Sequence, residues 1–167
     1  MRKAALLLLA AVLSLNLVHA QTGWITYNID AKLSIQVPAQ PTKADQYSVM
    51  SISSDSTIYI ITKVDMTVAA GLDSAALAGL APTEQFATEM RGGMQEKLQG
   101  YTLGDIKPGK WNGYYSFSID ADNPTTKLRS SIFMIIIGSY LYSFSVVLRE
   151  DRDPKLKDLF FNSLKLN

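Results

Sequence analysis

The sequence predicts an α+β domain, a mostly antiparallel β-sheet with helices packed on it. Three observations predict it. A twenty-residue stretch, Ser130 to Arg149, reads as a β-hairpin apolar on both faces. A single amphipathic stripe of helical period follows four strand-like segments. Strands, helix, strands and a last short helix then succeed one another in the order of a layered α+β chain.

The central stretch runs from Ser131 to Leu148 without a charge, a length at which a membrane span is considered. Its interior argues against that reading. Ser131, Ser139, Ser143 and Ser145 lie within it, β-branched and aromatic residues dominate, and Gly138-Ser139 interrupts it near the middle. Gly followed by a small polar residue is a type II′ hairpin signal. That turn pairs Ile137 with Tyr140, Ile135 with Tyr142 and Phe133 with Phe144. Alternation then sets Phe133, Ile135, Ile137, Tyr140, Tyr142, Phe144, Val146 and Leu148 on one face. Ile132, Met134, Ile136, Leu141, Ser143, Ser145 and Val147 take the other. A hairpin apolar on both sides belongs in the middle of a covered sheet.

The remaining elements follow in chain order. Met1-Arg2-Lys3, an apolar run to about Leu17 and Val18-His19-Ala20 describe a secretory signal peptide over residues 1–20, cleaved after Ala20. Residues 21–167 then form one domain of ordinary size. Trp24 to Ile29 reads as a strand and Asp30-Ala31-Lys32 as a turn. Leu33, Ile35 and Val37 alternate with Ser34 and Gln36 in a second strand that ends at Pro38. A loop to Gln46 leads to strands over Tyr47 to Ser53 and Thr57 to Asp65, joined at Ser54-Asp55-Ser56. The Ala-, Gly- and Leu-rich segment from Ala69 to Ala81 holds a short helix after Asp73 or forms a mobile loop.

Pro82-Thr83-Glu84 supplies helix-start chemistry. Phe86, Met90, Met94 and Leu98 recur every four residues up to the stop at Gly100. Gly92-Gly93 interrupts this helix as a weak spot, or else admits the close approach of a strand or a partner. Tyr101 to Ile106 is a strand, Lys107 to Lys110 a turn, Gly113 to Asp120 a strand, and Asp120 to Thr125 a further turn. Asp153-Pro154 starts the closing helix, with Asp at the cap and Pro in the first turn. Leu156, Leu159 and Phe160 are its dry side.

Composition excludes several chemistries. The chain contains no Cys, and its one His is His19, which leaves with the signal peptide. The mature chain therefore lacks the side chains of a Cys or Ser/His nucleophile pair, a His/Cys zinc site or a His-ligated haem. Lys plus Arg falls from 16 to 14 when Arg2 and Lys3 are removed, against 15 acids, so the mature charge is −1. No basic run points to nucleic acid or to an anionic membrane.

Candidate clusters are weak. Asp120-Ala121-Asp122-Asn123 has the beginning of calcium-loop spacing, but Pro124 and Thr125 break it. Glu150, Asp151 and Asp153 are interleaved with Arg149 and Arg152. Lys107, Lys110, Trp111, Tyr114 and Tyr115 mix charge with aromatics, as a single-strand-binding surface does, and also as a cross-strand aromatic cluster does. No catalytic, cofactor-binding or metal-ligating residue is assigned.

The opening Trp24…Tyr27, the strand Leu33-Ser-Ile-Gln-Val-Pro38, the single helix after four strands and the closing Leu159-Phe-Phe-Asn-Ser-Leu-Lys-Leu166 resemble the PsbP-like superfamily, in particular its small secreted bacterial members. The resemblance spans nearly the whole mature chain and implies an antiparallel sheet between helices, an α/β/α sandwich. It implies no single activity: proteins of this fold include a photosystem subunit, a Ran-binding import factor and chaperones that hold hydrophobic helices.

The expected function is therefore a non-enzymatic periplasmic or secreted binding or assembly protein. Its partner is an unknown protein or apolar ligand of the cell envelope, without nucleic acid, cofactor or a membrane span in the mature chain. A small apolar-ligand or lipid-binding protein and an envelope hydrolase relying on Asp, Glu or Ser are the alternatives. An open apolar patch marks the protein-binding case and a closed cavity lined by Tyr and Phe the ligand-binding one.

Overall fold

The computed structural model describes residues 23–167. The proposed signal peptide and its cleavage point lie outside these residues. The central hairpin forms as its sequence requires. Strands β9 (Leu128–Ile137) and β10 (Tyr140–Arg149) pair antiparallel. Ile137 faces Tyr140, Ile135 faces Tyr142 and Phe133 faces Phe144. Gly138 takes φ 63° while Ser139 keeps a negative φ, the type II′ arrangement.

Around this hairpin the large sheet runs in the order β3 (Thr42–Lys43), β4 (Ser48–Ile52), β5 (Ile58–Asp65), β10, β9, β8 (Tyr114–Asn123) and β6 (Thr102–Leu103). Strand β7 (Lys107–Trp111) pairs β8 beside β6. Each pair in it is antiparallel. A second, three-stranded sheet in the order β1 (Ile25–Asn28), β2 (Leu33–Val37), β11 (Lys165–Leu166) lies over one face. The helices are α1 (Met66–Ala70), α2 (Ser74–Leu80), α3 (Glu84–Lys97) and α4 (Lys155–Asn162). Among the described residues no helix is long and apolar enough to cross a membrane.

Helix starts carry the expected chemistry. The Thr83 hydroxyl accepts from the Phe86 amide, the Asp73 carboxylate from Ala75 and Ala76, and the Asp153 carboxylate from Lys155. Pro154 is already helical at φ −69°. The segment from Ala69 to Ala81 is thus helical after Asp73. An additional helix, α1, precedes it, capped by Asp65 and tied to the hairpin tip where the Met66 amide donates to the Ser139 carbonyl at 2.8 Å. A Cβ added at Gly92 or Gly93 would meet nothing within 4 Å, so these glycines admit no close neighbour.

Several expectations are corrected. Lys107 to Lys110 is strand rather than turn. The reversal lies at Asn112-Gly113, whose φ angles of 48° and 85° are those of a type I′ hairpin. Asp120 to Asn123 also stays in strand, and the turn falls at residues 124–127, where the Asn123 side chain accepts from the amides of Thr125 and Thr126. The loop after Pro38 contains β3, and the C-terminal tail contributes β11. The cover opposite α1–α3 is therefore not helix alone: the three-stranded sheet shares it with α4.

The two faces of the large sheet carry two cores. Leu33, Ile35 and Val37 of the small sheet and Phe160 of α4 close over Tyr59, Ile61, Ile135, Tyr142, Phe144 and Val146 on the first face. On the second, Leu77, Phe86 and Ala87 close over Phe117, Ile119, Ile132, Met134 and Ile136. The covers are offset. The first lies over β5, β10 and β9; the second lies over β9 and β8.

Candidate functional site

Offset covers leave two parts of the large sheet open. On the second face, the register aligns Ile52 with Ile58 and Val147, Met50 with Ile60 and Ser145, and Ser48 with Thr62 and Ser143. These residues belong to neither buried core. Ile52 is 48% exposed, and Met50, Ile58, Ile60 and Val147 are half-buried although they touch neighbours within the sheet. Between them the Ser48 and Thr62 hydroxyls bond each other at 2.9 Å, which removes most of their demand for water. The result is an open, largely apolar face without a charged side chain among these nine positions.

On the first face, β8 presents Ser118, Asp120 and Asp122 where the small sheet and α4 no longer reach, while Ser116 nearer its start is buried. A groove of about 490 Å³ lies between this strip and α4, with Trp111 at one end and Phe133 and Phe161 along it. The Ser131 hydroxyl donates to the Asp120 carboxylate at 2.6 Å, directly across the β8–β9 ladder. The ladders on both sides of Ser131 fix where this Ser–carboxylate pair sits. Ser131 is in register with Asp120 on one side and Val146 on the other, in a strand laddered on both edges. The Ser131 hydroxyl thereby orients the Asp120 carboxylate.

The sequence-flagged clusters separate. Asp122 pairs with Arg129 at 3.2 Å, and Arg129 with Glu150 at 3.0 Å. Arg149 pairs with Asp151 and Lys155 with Asp153. All are exposed ion pairs, worth about 0–1 kcal/mol each. Among the described residues no group of three or more His, Cys, Asp or Glu side chains converges. Lys110 sits over the Tyr115 ring with Nζ 3.0 Å from its centroid, while Trp111 and Tyr114 pack on the opposite face. The aromatics are thus a cross-strand cluster divided between two faces.

One polar network has no local signal in the sequence. Asp30, in the turn after β1, accepts from Lys63 Nζ at 2.6 Å and from the Tyr142 hydroxyl at 2.7 Å. Its other oxygen accepts from the amides of Lys32 and Leu33. Burial pushes the Asp30 carboxyl up. The hydrogen bonds from Lys63, Tyr142 and Lys32, with the Lys63 charge, outweigh that and hold it at about 2, below its ordinary 3.8. Burial and the adjacent Asp30 carboxylate push the Tyr142 phenol up. The network clamps the small sheet to the hairpin. Nearby, the buried Tyr59 hydroxyl has no hydrogen-bond partner, and burial pushes it up to about 12.

No family model matches the chain, and no curated protein matches it. Solved structures do match. Cyanobacterial PsbP from Synechocystis superposes with a TM-score of 0.54 at 11% identity, over 86% of this chain and 92% of that one. The fold is PsbP-like. A Pseudomonas aeruginosa protein of unknown function also superposes on this chain, with a TM-score of 0.50 at 11% identity over 81% of this chain and 89% of its own. At such identities the PsbP likeness is one of backbone architecture, and no functional residue passes from these structures to this chain.

Proposed function

We propose that this chain is an exported, non-enzymatic binding or assembly protein of the cell envelope. It holds an apolar segment of a partner protein against the open face of β4, β5 and β10. The observation that supports this reading is the row pattern of that face: Ile52, Ile58 and Val147, then Met50 and Ile60, left outside both cores. An apolar row without a cover, half-buried and with Ile52 exposed at its end, is a surface of the kind that marks interaction sites. It is an open patch rather than an enclosed cavity, which favours a protein partner over a small apolar ligand. Export rests on the Arg2-Lys3, apolar core and Val18-x-Ala20 series.

A photo-crosslinking residue placed at Ile60, in the native host, tests the face. The expected result is a protein adduct of defined mass that disappears with Ile58→Ser and does not form from position 97, at the end of α3. Adducts with lipid alone would move the function to the lipid-binding alternative, and equal labelling from both positions would contradict the proposal. The exported form should begin at Gln21 by mass spectrometry; a mature form retaining Met1 would contradict export by cleavage.

A further inference from the structure

We infer that the groove between α4 and β8 is a saccharide site, separate from the apolar face on the other side of the sheet. Its floor is made of Ser118, Asp120 and Ser131, and its aromatic surfaces are Trp111, Phe133 and Phe161. Phe133 and Phe161 meet edge to face, with centroids 6.3 Å apart at 67°, and form a rigid apolar corner. The groove volume, about 490 Å³, is within the range of small-molecule sites.

Chemistry decides the ligand class. The lining mixes charges, Lys157 with Asp120 and Asp158, so it offers a simple ion no uniform set of counter-charges. An apolar chain would strip water from Ser118, Asp120 and Ser131 without replacing it, which is costly. A peptide backbone is normally recognised at a free strand edge. Here the floor is a sheet face: Ser118 lies between Lys107 and Phe133 in the ladder, and Asp120 accepts the Gly104 amide. What remains is a neutral ligand whose polar groups both donate and accept and whose rings carry an apolar face. Sugar hydroxyls do the first, and the C–H face of a pyranose packed on an aromatic ring does the second. Asp120 is prepared for this role. Ser131 fixes one carboxylate oxygen, so the carboxylate is oriented before any hydroxyl arrives.

The test is an amide NMR titration of the purified protein with two probes, an N-acetylglucosamine trisaccharide and maltotriose. At least one should shift resonances clustered at Trp111, Ser118, Asp120 and Phe161. Trp111→Ala and Asp120→Asn should each weaken its Kd roughly tenfold, read on variants whose amide spectra show them folded, and Trp111→Phe should recover part of the loss. Hexanoate and a neutral tetrapeptide serve as competing classes. If either shifts the groove while both saccharides do not, the ligand class is wrong. If no probe shifts it at about 10 mM, where even a Kd in the millimolar range would register, the groove is not a site. Because the apolar face of β4, β5 and β10 lies on the far side of the sheet, each result leaves the proposed protein-binding function to its own crosslinking test.

Discussion

The two open parts of the large sheet have similar backbone surroundings and opposite side chains. Along β8 the uncovered positions are Ser118, Asp120 and Asp122; across β4, β5 and β10 they are Met50, Ile52, Ile58, Ile60 and Val147. A strand that faces water on one side normally alternates apolar with polar. Strand β8 obeys, with Phe117, Ile119 and Ala121 turned to the second core. Strand β5 does not: Tyr59 and Ile61 are buried on the first face, yet Ile58 and Ile60 are apolar on the open one. The polar strip is finished surface. The apolar one is surface that lacks its cover, and this difference supports assigning a protein partner to it.

The sharpest way to break the comparison is to contrast a covered with an exposed position of the large sheet. Phe144 is fully buried in the first core and stacks with Phe133 at 6.5 Å. Phe144→Ala should lower unfolding free energy by about 3–5 kcal/mol in urea titration. If it unfolds no more readily than Lys110→Ala, the first face is not closed as described.

Next in size is the Asp30 clamp. Asp30→Asn weakens charge-assisted bonds to Lys63 and Tyr142 and should cost about 1–3 kcal/mol at neutral pH. The folded-state carboxyl, at about 2, is depressed below its ordinary 3.8. Its contribution is therefore fully present above about pH 4 and is lost as pH falls toward 2. The difference in stability between parent and Asp30→Asn should narrow over that window, and a gap constant down to pH 2 would remove the clamp from the account.

On the open face, Ile52→Ser should change stability by no more than about 0.5 kcal/mol while abolishing the crosslink from Ile60. A loss of several kcal/mol would mean that the face is already buried. The smallest expected effect concerns metal. Asp122 is engaged by Arg129, and Asp120 by Ser131. Melting midpoints should be the same in EDTA and in millimolar calcium, since an ion held only by the folded state would raise them. A rise of several degrees in calcium, abolished by Asp120→Asn with Asp122→Asn, would restore this acidic pair as a site.

Much of this architecture is legible in the residues. Gly138-Ser139 and the two apolar faces fix the hairpin register, and Phe86, Met90, Met94 and Leu98 fix α3. The reversal at Asn112-Gly113 has an equally strong signal, but Pro108-Gly109 competes with it and reads as the turn. Strands β3 and β11 contain two residues each, too few for any periodicity to register. Asp30, Lys63 and Tyr142 are far apart in sequence, and only the tertiary fold brings them together. The open face is half-legible. Ser143 and Ser145 sit mid-hairpin among apolar residues and mark one side as less buried, but sequence alone does not say where a cover ends.

Neighbouring residues of β10 offer the most direct test of that boundary, because the chain has no native cysteine. Ser145 points to the open face and Val146 into the first core, where it is fully buried. Single variants Ser145→Cys and Val146→Cys should differ in maleimide labelling under native conditions. The account predicts prompt labelling at position 145 and, at 146, labelling only through unfolding, slower by a factor of at least about a thousand. Equal protection at both positions would show that the face of β4, β5 and β10 is covered, and would contradict the account at its centre.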